Sequence, residues 1–300
     1  VRVAITGAAG FVGTWLCRDL RAAGHETLGV DLRLGEYVDT QIDLLGRQSV
    51  HQWLEKCQPD AVVHLAAQVG RIFGERDVSR TIRWNAEATG LVAHAAASAG
   101  VRLVYASTSE AYGDQGDALL DEDALWVLPH NLYGLSKRWG EEVCRFYAPD
   151  DLVIVRLSMP YGPGTPPGEG RRAMDTMLWQ AHHRMPITVH RGAERSWCWV
   201  GDTVRGIRLT LEHPHGGTYN VGRDDDPRTM LEIAQRACKL AGASDTLIHE
   251  VDPPTAQTVV KRLATDRIRG LDWEPTVDID EGMAQVYEWI SGYDENGHRP

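Results

Sequence analysis

Tyr133 and Lys137 stand four residues apart in Tyr133-Gly134-Leu135-Ser136-Lys137. That spacing puts both side chains on one face of a helix, about one turn apart. A free phenol has a pKa of about 10, so a tyrosine acting as a base near neutrality needs its phenolate stabilised by ~3 units, or about 4 kcal/mol. An ammonium about 6 Å away supplies roughly 3 kcal/mol at an effective dielectric near 20. Lys137 could therefore do most of this, with a second nearby cation supplying the rest. Most Tyr-x-x-x-Lys pairs are ordinary helix faces, so the surrounding chain has to decide. Upstream, Ser107-Thr108-Ser109-Glu110 offers companion groups. The Thr108 hydroxyl suits polarising a substrate oxygen beside Tyr133, and the Glu110 carboxylate either shuttles a proton or orients the loop.

These residues need elements to hold them. Arg2 to Thr6 reads as a short buried strand, followed by Gly7-Ala8-Ala9-Gly10-Phe11-Val12-Gly13. A helix then runs through Trp15, Leu16, Leu20 and Ala23 to Gly24, and a strand from Glu26 ends on Asp31. Strand, glycine turn, helix, strand and acid in this order form the dinucleotide-binding arrangement. Gly7 permits the turn, Gly10 lets backbone approach a pyrophosphate, and Gly13 allows close helix–strand packing over a helix N-terminus with free N–H groups. Asp31 would accept from ribose hydroxyls and repel a 2′-phosphate, favouring NAD over NADP. Arg33 is the opposing signal, since an arginine there can hold that phosphate.

Further along, Asp43-Leu44 reads either as the end of a weak third strand or as a cap before a helix from Gly46 to Cys57. Ala61 to Ala67 is a fourth strand, in which His64 reads as a core residue. Gln68 to Asp77 is a polar loop past a strand's carboxyl end, where ligands bind in open α/β sheets. Arg71 there reaches a substrate or is plain surface. A long helix (Ser79 to Ala99) carries Asn85, a strand (Val101 to Ala106) delivers Thr108, and the helix Leu132 to Tyr147 carries Tyr133 and Lys137. After the strand Leu152 to Leu157, Met159-Pro160-Tyr161-Gly162-Pro163-Gly164 marks the exit from a first lobe. The expected fold is α/β, a Rossmann-type doubly wound parallel sheet (1–163) with a smaller α/β C-terminal substrate lobe (164–300), the chain crossing between them more than once.

Composition narrows the class. Three hundred residues with 43% apolar content can bury one large α/β core with a smaller lobe. No apolar run approaches a membrane span, and no leader pattern stands before the first strand. Five cysteines, Cys17, Cys57, Cys144, Cys198 and Cys238, lack paired spacing, which points to reduced thiols, a cytoplasmic setting and no zinc site. His182-His183 and His213-Pro214-His215 lack metal-ligand spacing as well. A formal charge of −11 argues against general nucleic-acid binding.

With these pieces assembled, the chain resembles the NAD-dependent nucleotide-sugar epimerase/dehydratase family, an extended branch of the short-chain dehydrogenases. The resemblance spans nearly its whole length. It is carried by Thr6 to Gly13, His64-Leu65-Ala66-Ala67, Ser107 to Gly113, Tyr133 with Lys137, and Arg156 followed by Tyr161-Gly162-Pro163. Arg195 to Asp202, Tyr219-Asn220-Val221-Gly222 and Leu271-Asp272-Trp273-Glu274-Pro275 extend it into the second lobe. The resemblance implies that Tyr133 is base on the sugar 4-hydroxyl, Lys137 lowers its pKa and binds the nicotinamide ribose, and Thr108 bonds the same sugar oxygen. NAD would contact Gly7, Gly10, Phe11, Val12, Gly13, Asp31, Asp43, Leu44, Leu65, Ala66, Ala67, Ser107 and Pro160. It implies substrate contacts at Arg71, Thr108, Met159, Arg171, Arg195 and Arg262.

Oxidation at carbon 4 gives a 4-keto sugar, after which the family's members diverge. The Thr108-Ser109-Glu110 run resembles UDP-glucuronate decarboxylases and 4,6-dehydratases, with Ser109 and Glu110 as further catalytic residues. Met159 stands where many relatives carry an asparagine that contacts the substrate phosphates, and a thioether cannot replace an amide donor. The expected substrate is a nucleotide-diphosphate sugar, most simply a UDP-sugar, and the expected assembly a homodimer through the two long helices. A 4-epimerase and a non-catalytic NAD-binding protein of the same fold are the alternatives.

Overall fold

The computed structural model describes residues 1–125, 127–148, 151–164, 172–254 and 257–293. The chain opens with β1 (Arg2–Thr6), α1 (Phe11–Ala22), β2 (Glu26–Asp31), β3 (Thr40–Gln41), α2 (Arg47–Cys57) and β4 (Ala61–His64). Helices α3 (Arg71–Arg76) and α4 (Val78–Ile82) lead through a π-helical turn at Arg83–Glu87 into α5 (Ala88–Ala99). Next come β5 (Arg102–Thr108), a 3₁₀ turn at Ser109–Tyr112, β6 (Leu119–Leu120), α6 (Leu132–Tyr147), β7 (Leu152–Leu157) and β8 (Met159–Tyr161). Then follow α7 (Ala173–His182), β9 (Ile187–His190), β10 (Glu194–Arg195), β11 (Trp197–Trp199), α8 (Val200–Glu212) and β12 (Gly217–Val221). The remainder is β13 (Arg228–Thr229), α9 (Met230–Ala241), β14 (Ile248–Val251), β15 (Val260–Leu263), α10 (Asp266–Arg269) and α11 (Ile279–Ser291).

Seven parallel strands form the main sheet in the order β12-β7-β5-β4-β1-β2-β3. Helices cover both faces, so inner strands such as Val3-Ala4-Ile5-Thr6 are buried throughout. Alternate residues feed separate cores: Ile5, Val63 and Val104 join one, Ala4, Val62 and Leu103 the other. The chain reverses direction across the sheet between β1 and β4, which creates a crevice at their carboxyl ends. A second sheet has the order β13-β10-β15-β6. Sheet membership interleaves along the chain. β12, from the second half, pairs with β7, while β6, from the first half, pairs with β15 at Leu120 opposite Leu263.

Helix α6 needs close approach to β5, and its sequence provides it. Its buried face is Gly134, Lys137, Gly140, Glu141 and Cys144, a helical i, i+3, i+4 stripe. A Cβ on Gly140 would fall 2.2 Å from the Tyr105 hydroxyl, and one on Gly134 2.7 Å from the Glu110 carbonyl oxygen. The stripe therefore carries its two charged residues inward, against β5.

Two expectations change. The stretch read as a polar loop, Gln68 to Asp77, contains α3. The long helix after it is interrupted by a π turn around Asn85, a device common at functional sites. Asn85 accepts from Gln68 N at 2.7 Å and donates to Gln68 O at 2.9 Å and Ser136 Oγ at 3.0 Å. It thereby ties the segment after β4 to α6. Arg171 and the terminal stretch 294–300 lie outside the described residues.

Candidate active site

At the first turn Gly7 has φ +76°, and a Cβ there would come within 2.8 Å of Ala66 N. Added Cβ atoms on Gly13 and Gly10 would meet Gly7 O at 2.1 Å and 3.0 Å. Gly10 caps α1 with no side-chain bond, which leaves the helix's first amides facing the crevice. Asp31, ending β2, accepts from Ala9 N at 3.2 Å and Arg33 N at 3.0 Å. The Arg33 guanidinium lies 3.4 Å from the same carboxylate, so Asp31 partly neutralises it. Leu65 N donates to Thr6 O and Ala66 N to Thr6 Oγ1, both at 3.2 Å, which sets Leu65-Ala66-Ala67 beside the turn. This cradle of small residues, bare amides and a terminal acid fits a dinucleotide. Phe11 lies 3.3 Å beneath the Arg172 guanidinium, Val12 packs partly against the core, and Pro160 pairs with Cys198.

The expected adenine-side pair, Asp43 and Leu44, lies just before α2. Leu44 is 3% exposed and belongs to the core cluster containing Val50, Trp53 and Leu54, so its side chain packs there. Asp43 accepts from Leu45 N at 2.9 Å, while Gly46 caps α2 without a side-chain bond. Asp43 forms a local turn and does not cap the helix. His64 is a core residue as expected. It bridges Thr6 Oγ1 (2.7 Å) and Thr89 Oγ1 (3.0 Å), and burial pushes it down to about 3.

At the other end of the crevice, β5 delivers buried Ser107 and Thr108, and the 3₁₀ turn after it buried Ser109. Thr108 accepts from Glu110 N at 3.3 Å and shares a hydrogen bond with Tyr133. Burial pushes the Tyr133 phenol up to about 12, against the Thr108 bond, with the Glu110 charge adding to the rise. Lys137 lies at the bottom of the same helix face, its Nζ 4.1 Å above the Tyr105 ring. Burial drives Lys137 down to about 7, opposed by Cys144 and Glu141. Protein groups alone therefore leave Tyr133 protonated, and the expected lowering by Lys137 is not what dominates. Ser107 donates to Glu141 at 2.5 Å, so its hydroxyl is spent inside the core.

Glu110 is the centre of a cluster drawn from distant parts of the chain. Lys261 Nζ is in direct ion-pair contact with its Oε1, and Asn131 Nδ2 donates to Oε2 at 2.9 Å. Burial raises the Glu110 carboxyl, but the Lys261 charge and the bonds from Lys261 and Asn131 outweigh it and hold the group at about 2. Arg195 and Arg71 also act on this cluster through their charge. Asn131 has a second task, accepting from Gly134 N at 2.8 Å as the α6 cap.

The expected substrate arginines sort differently. Arg71, at the start of α3, is half-buried and its charge reaches Lys261 and His190. Arg195 is 6% exposed, and its guanidinium donates to the carbonyls of Glu194, Val259 and Thr258 at 2.6–2.8 Å. It presents charge without free donors along those bonds. Arg262 pairs with Glu194 and is 41% exposed. On β15 the inward positions are Lys261 and Leu263, one step out of register with the sequence reading. Met159 pairs in β8 opposite Trp197, and its N–H reaches Ser196 O at 3.4 Å. Lys261 and Asn131 were missed. Period-two alternation with the apolar Leu263 would have pointed to Lys261, and the Asn131-x-x-Gly134 spacing to the cap.

Fold and site together define a class: a doubly wound α/β protein with a dinucleotide cradle facing a Thr–Tyr–Lys constellation across one crevice. The sequence signature of the NAD dependent epimerase/dehydratase family matches residues 3–222, and the chain belongs to that family. It is 27% identical over 304 residues to UDP-glucuronic acid decarboxylase 1 of Arabidopsis thaliana, covering 95% of this chain and 69% of that protein. It is 27% identical over 338 residues to a probable dTDP-glucose 4,6-dehydratase of Sinorhizobium fredii, covering 99% and 94%. The NAD-bound UDP-glucose 4-epimerase of Thermus thermophilus superposes with a TM-score of 0.88 over 97% of this chain and 99% of the other, at 24% identity. The expectations of an α/β Rossmann-type fold, NAD and nucleotide-sugar chemistry agree with these relatives. Among the described residues no helix is long and apolar enough to cross a membrane, and no group of three or more His, Cys, Asp or Glu is placed to hold a metal.

Proposed function

We propose that this protein oxidises a nucleotide-hexuronate at carbon 4 and releases carbon dioxide from the 4-keto acid. The observation that carries the reading is the Glu110–Lys261 ion pair beside Thr108 and Tyr133. A carboxylate held at about 2 is a weak base, which disfavours carbon-5 proton removal, the step that opens a 4,6-elimination. Decarboxylation needs no such base. It needs cations to receive the substrate's own carboxylate. The Lys261 ammonium feels the charges of Arg195 and Arg71 as well as Glu110, and Arg195 in turn feels Glu110 and Asp114. Three cations face two carboxylates in this group, so a third carboxylate would balance it.

NAD, when bound, accepts the carbon-4 hydride and supplies a positive ring. Gly7, Gly10, Gly13 and Asp31 would hold it, with Phe11, Leu65 and Ala66 alongside. Tyr133 takes the 4-hydroxyl proton while Thr108 orients that oxygen and the Lys137 ammonium favours the phenolate. The bond from carbon 5 to the carboxylate then breaks, carbon dioxide leaves, and the electron pair flows into the 4-keto group. Carbon 5 would take a proton from solvent, and the hydride that bound NAD supplies would return to carbon 4 as Tyr133 gives its proton back to the 4-oxygen, leaving a nucleotide pentose.

Proton NMR of the purified protein with NAD tests this against UDP-glucuronate, UDP-glucose, dTDP-glucose and GDP-mannose. A pentose product from UDP-glucuronate is expected, and Tyr133→Phe should abolish it. A 4-keto-6-deoxy product from a neutral hexose would replace the reading with dehydration, and inversion at carbon 4 alone would replace it with epimerisation. No turnover of any substrate would leave a protein that binds without catalysing. We further propose a homodimer through α5 and α6, because Trp139 and Phe146 project from α6 at 40% and 78% exposure. A monomer by sedimentation at micromolar concentration would remove that proposal.

A further inference from the structure

Glu141 takes no part in the chemistry above, yet its carboxylate is fully buried on the Tyr–Lys helix, one turn beyond Lys137 on the same face. Its Oε1 accepts from Ser107 Oγ at 2.5 Å and Arg156 Nε at 3.0 Å; its Oε2 accepts from Arg156 Nη2 at 2.8 Å and Arg145 Nη2 at 3.2 Å. Arg156 continues outward, donating to the Tyr112 hydroxyl at 3.0 Å and Glu122 O at 2.7 Å. Tyr112 in turn donates to Asn220 Oδ1 at 2.6 Å. Charge-assisted bonds of this kind keep a buried carboxylate ionised. Burial raises Glu141, and its Arg156 contacts more than reverse the rise.

Lys137 is only 2% exposed. The groups acting on it or packed with it are Cys144 and Glu141 on α6, Tyr105 on β5 and His64 on β4, with Tyr133 one turn back along the helix. Burial sends the Cys144 thiol up to about 12, Tyr133 to about 12, the Tyr105 phenol up as well, and His64 down to about 3. All four are therefore uncharged around neutrality, where Lys137 titrates. Glu141 is the anion left among them.

We propose that Glu141 is a positioning residue: it anchors Ser107 at the carboxyl end of β5 and holds Lys137 as an ammonium beside Tyr133. The ion pair with Arg156 then fixes the anion, and the contact across to Tyr112 and Asn220 fixes Arg156. A neutral Lys137 would donate less strongly to a ribose hydroxyl and would no longer favour the phenolate.

Direct titration tests this. The chain contains four lysines, Lys56, Lys137, Lys239 and Lys261, so ¹³Cε-lysine labelling gives a spectrum assignable with a Lys137→Arg variant. Wild type should show Lys137 titrating near 7, and Glu141→Gln should lower that midpoint by about one unit. The glutamine also leaves Arg156 without its partner, so stability will fall, and folding could fail. The double variant Glu141→Gln/Arg156→Met removes both charges and should recover thermal stability while keeping the lowered Lys137 midpoint. Ser107→Ala retains the carboxylate and should leave the midpoint in place. The alkaline limb of turnover should move to lower pH in the double variant, in step with the titration. An unchanged Lys137 midpoint in the double variant overturns the assignment, leaving Glu141 a structural partner of Arg156. The titration is independent of which sugar is turned over, so failure of the proposed decarboxylation and failure of this assignment are separate results.

Discussion

The two ends of the crevice are built on different principles. At the dinucleotide cradle the chain works with main chain: Gly7, Gly10 and Gly13 matter for the atoms they lack, and most of the parts fall within Arg2–Asp31, with Ala66 closing against Gly7. At the Thr108–Tyr133 end it works with buried charge assembled from far apart. Glu110 meets Lys261, 151 positions away, and Arg156 clamps Glu141 from a neighbouring strand. Backbone geometry tolerates almost no substitution but leaves pH behaviour alone. Buried charge tolerates some substitution and writes itself into the pH dependence.

The largest expected effect breaks the first end. Gly13→Val puts carbon where a Cβ already falls 2.1 Å from Gly7 O and 2.9 Å from Ala8 Cα. Helix α1 or the turn must shift, at a cost beyond the ~1–3 kcal/mol usual for overpacking. NAD binding, followed by calorimetry, should be lost at every pH. Binding that survives within tenfold would mean the cradle is more compliant than its contacts indicate.

A smaller, pH-dependent effect is expected at the second end. Lys261→Met leaves Glu110 with Asn131 as its partner and should destabilise the protein by about 2 kcal/mol at neutral pH. The side chain of Glu110 retains 21% exposure, which moderates the loss. The sign follows from linkage. Glu110 is lowered from 4.5 to about 2, so wild type holds this stabilisation above about 4.5 and loses it as pH falls towards about 2. Without Lys261, burial raises the carboxyl and that acid-side loss should disappear or reverse. Urea denaturation at several pH values checks it; parallel stability curves for the two proteins would mean the ion pair contributes nothing.

The same contrast explains how much could be read in advance. The cradle was legible because its constraints are local: strand, glycines, helix and Asp31 occur in sequence order, and the cost of a side chain at each glycine is steric. Thr108, Tyr133 and Lys137 were legible through their spacing and through the family resemblance. The burial of Leu44 was not legible, because only tertiary structure brings its side chain against Trp53 and Leu54. Asn131 and Lys261 escaped because their partner, Glu110, is brought to them by tertiary structure. The pKa argument for Tyr133 was incomplete for a related reason. It counted the helpful charge of Lys137 without the burial that raises the phenol and depresses the ammonium together.

Arg262 gives the smallest effect and the sharpest test of register. Sequence reading chose it for substrate, yet on β15 it faces Glu194 at the surface while Lys261 faces Glu110. An exposed pair of this kind contributes about 0–1 kcal/mol. Arg262→Ala should therefore leave stability and KM within about twofold of wild type, a factor worth ~0.4 kcal/mol. Lys261→Met, its immediate neighbour in the chain, should raise KM for a hexuronate substrate while barely changing the affinity for a neutral nucleotide sugar. If the Arg262 variant is the one that loses affinity, β15 slides by one residue when substrate binds. That slip would exchange the inward and outward faces and separate Lys261 from Glu110, taking with it the electrostatic argument for decarboxylation.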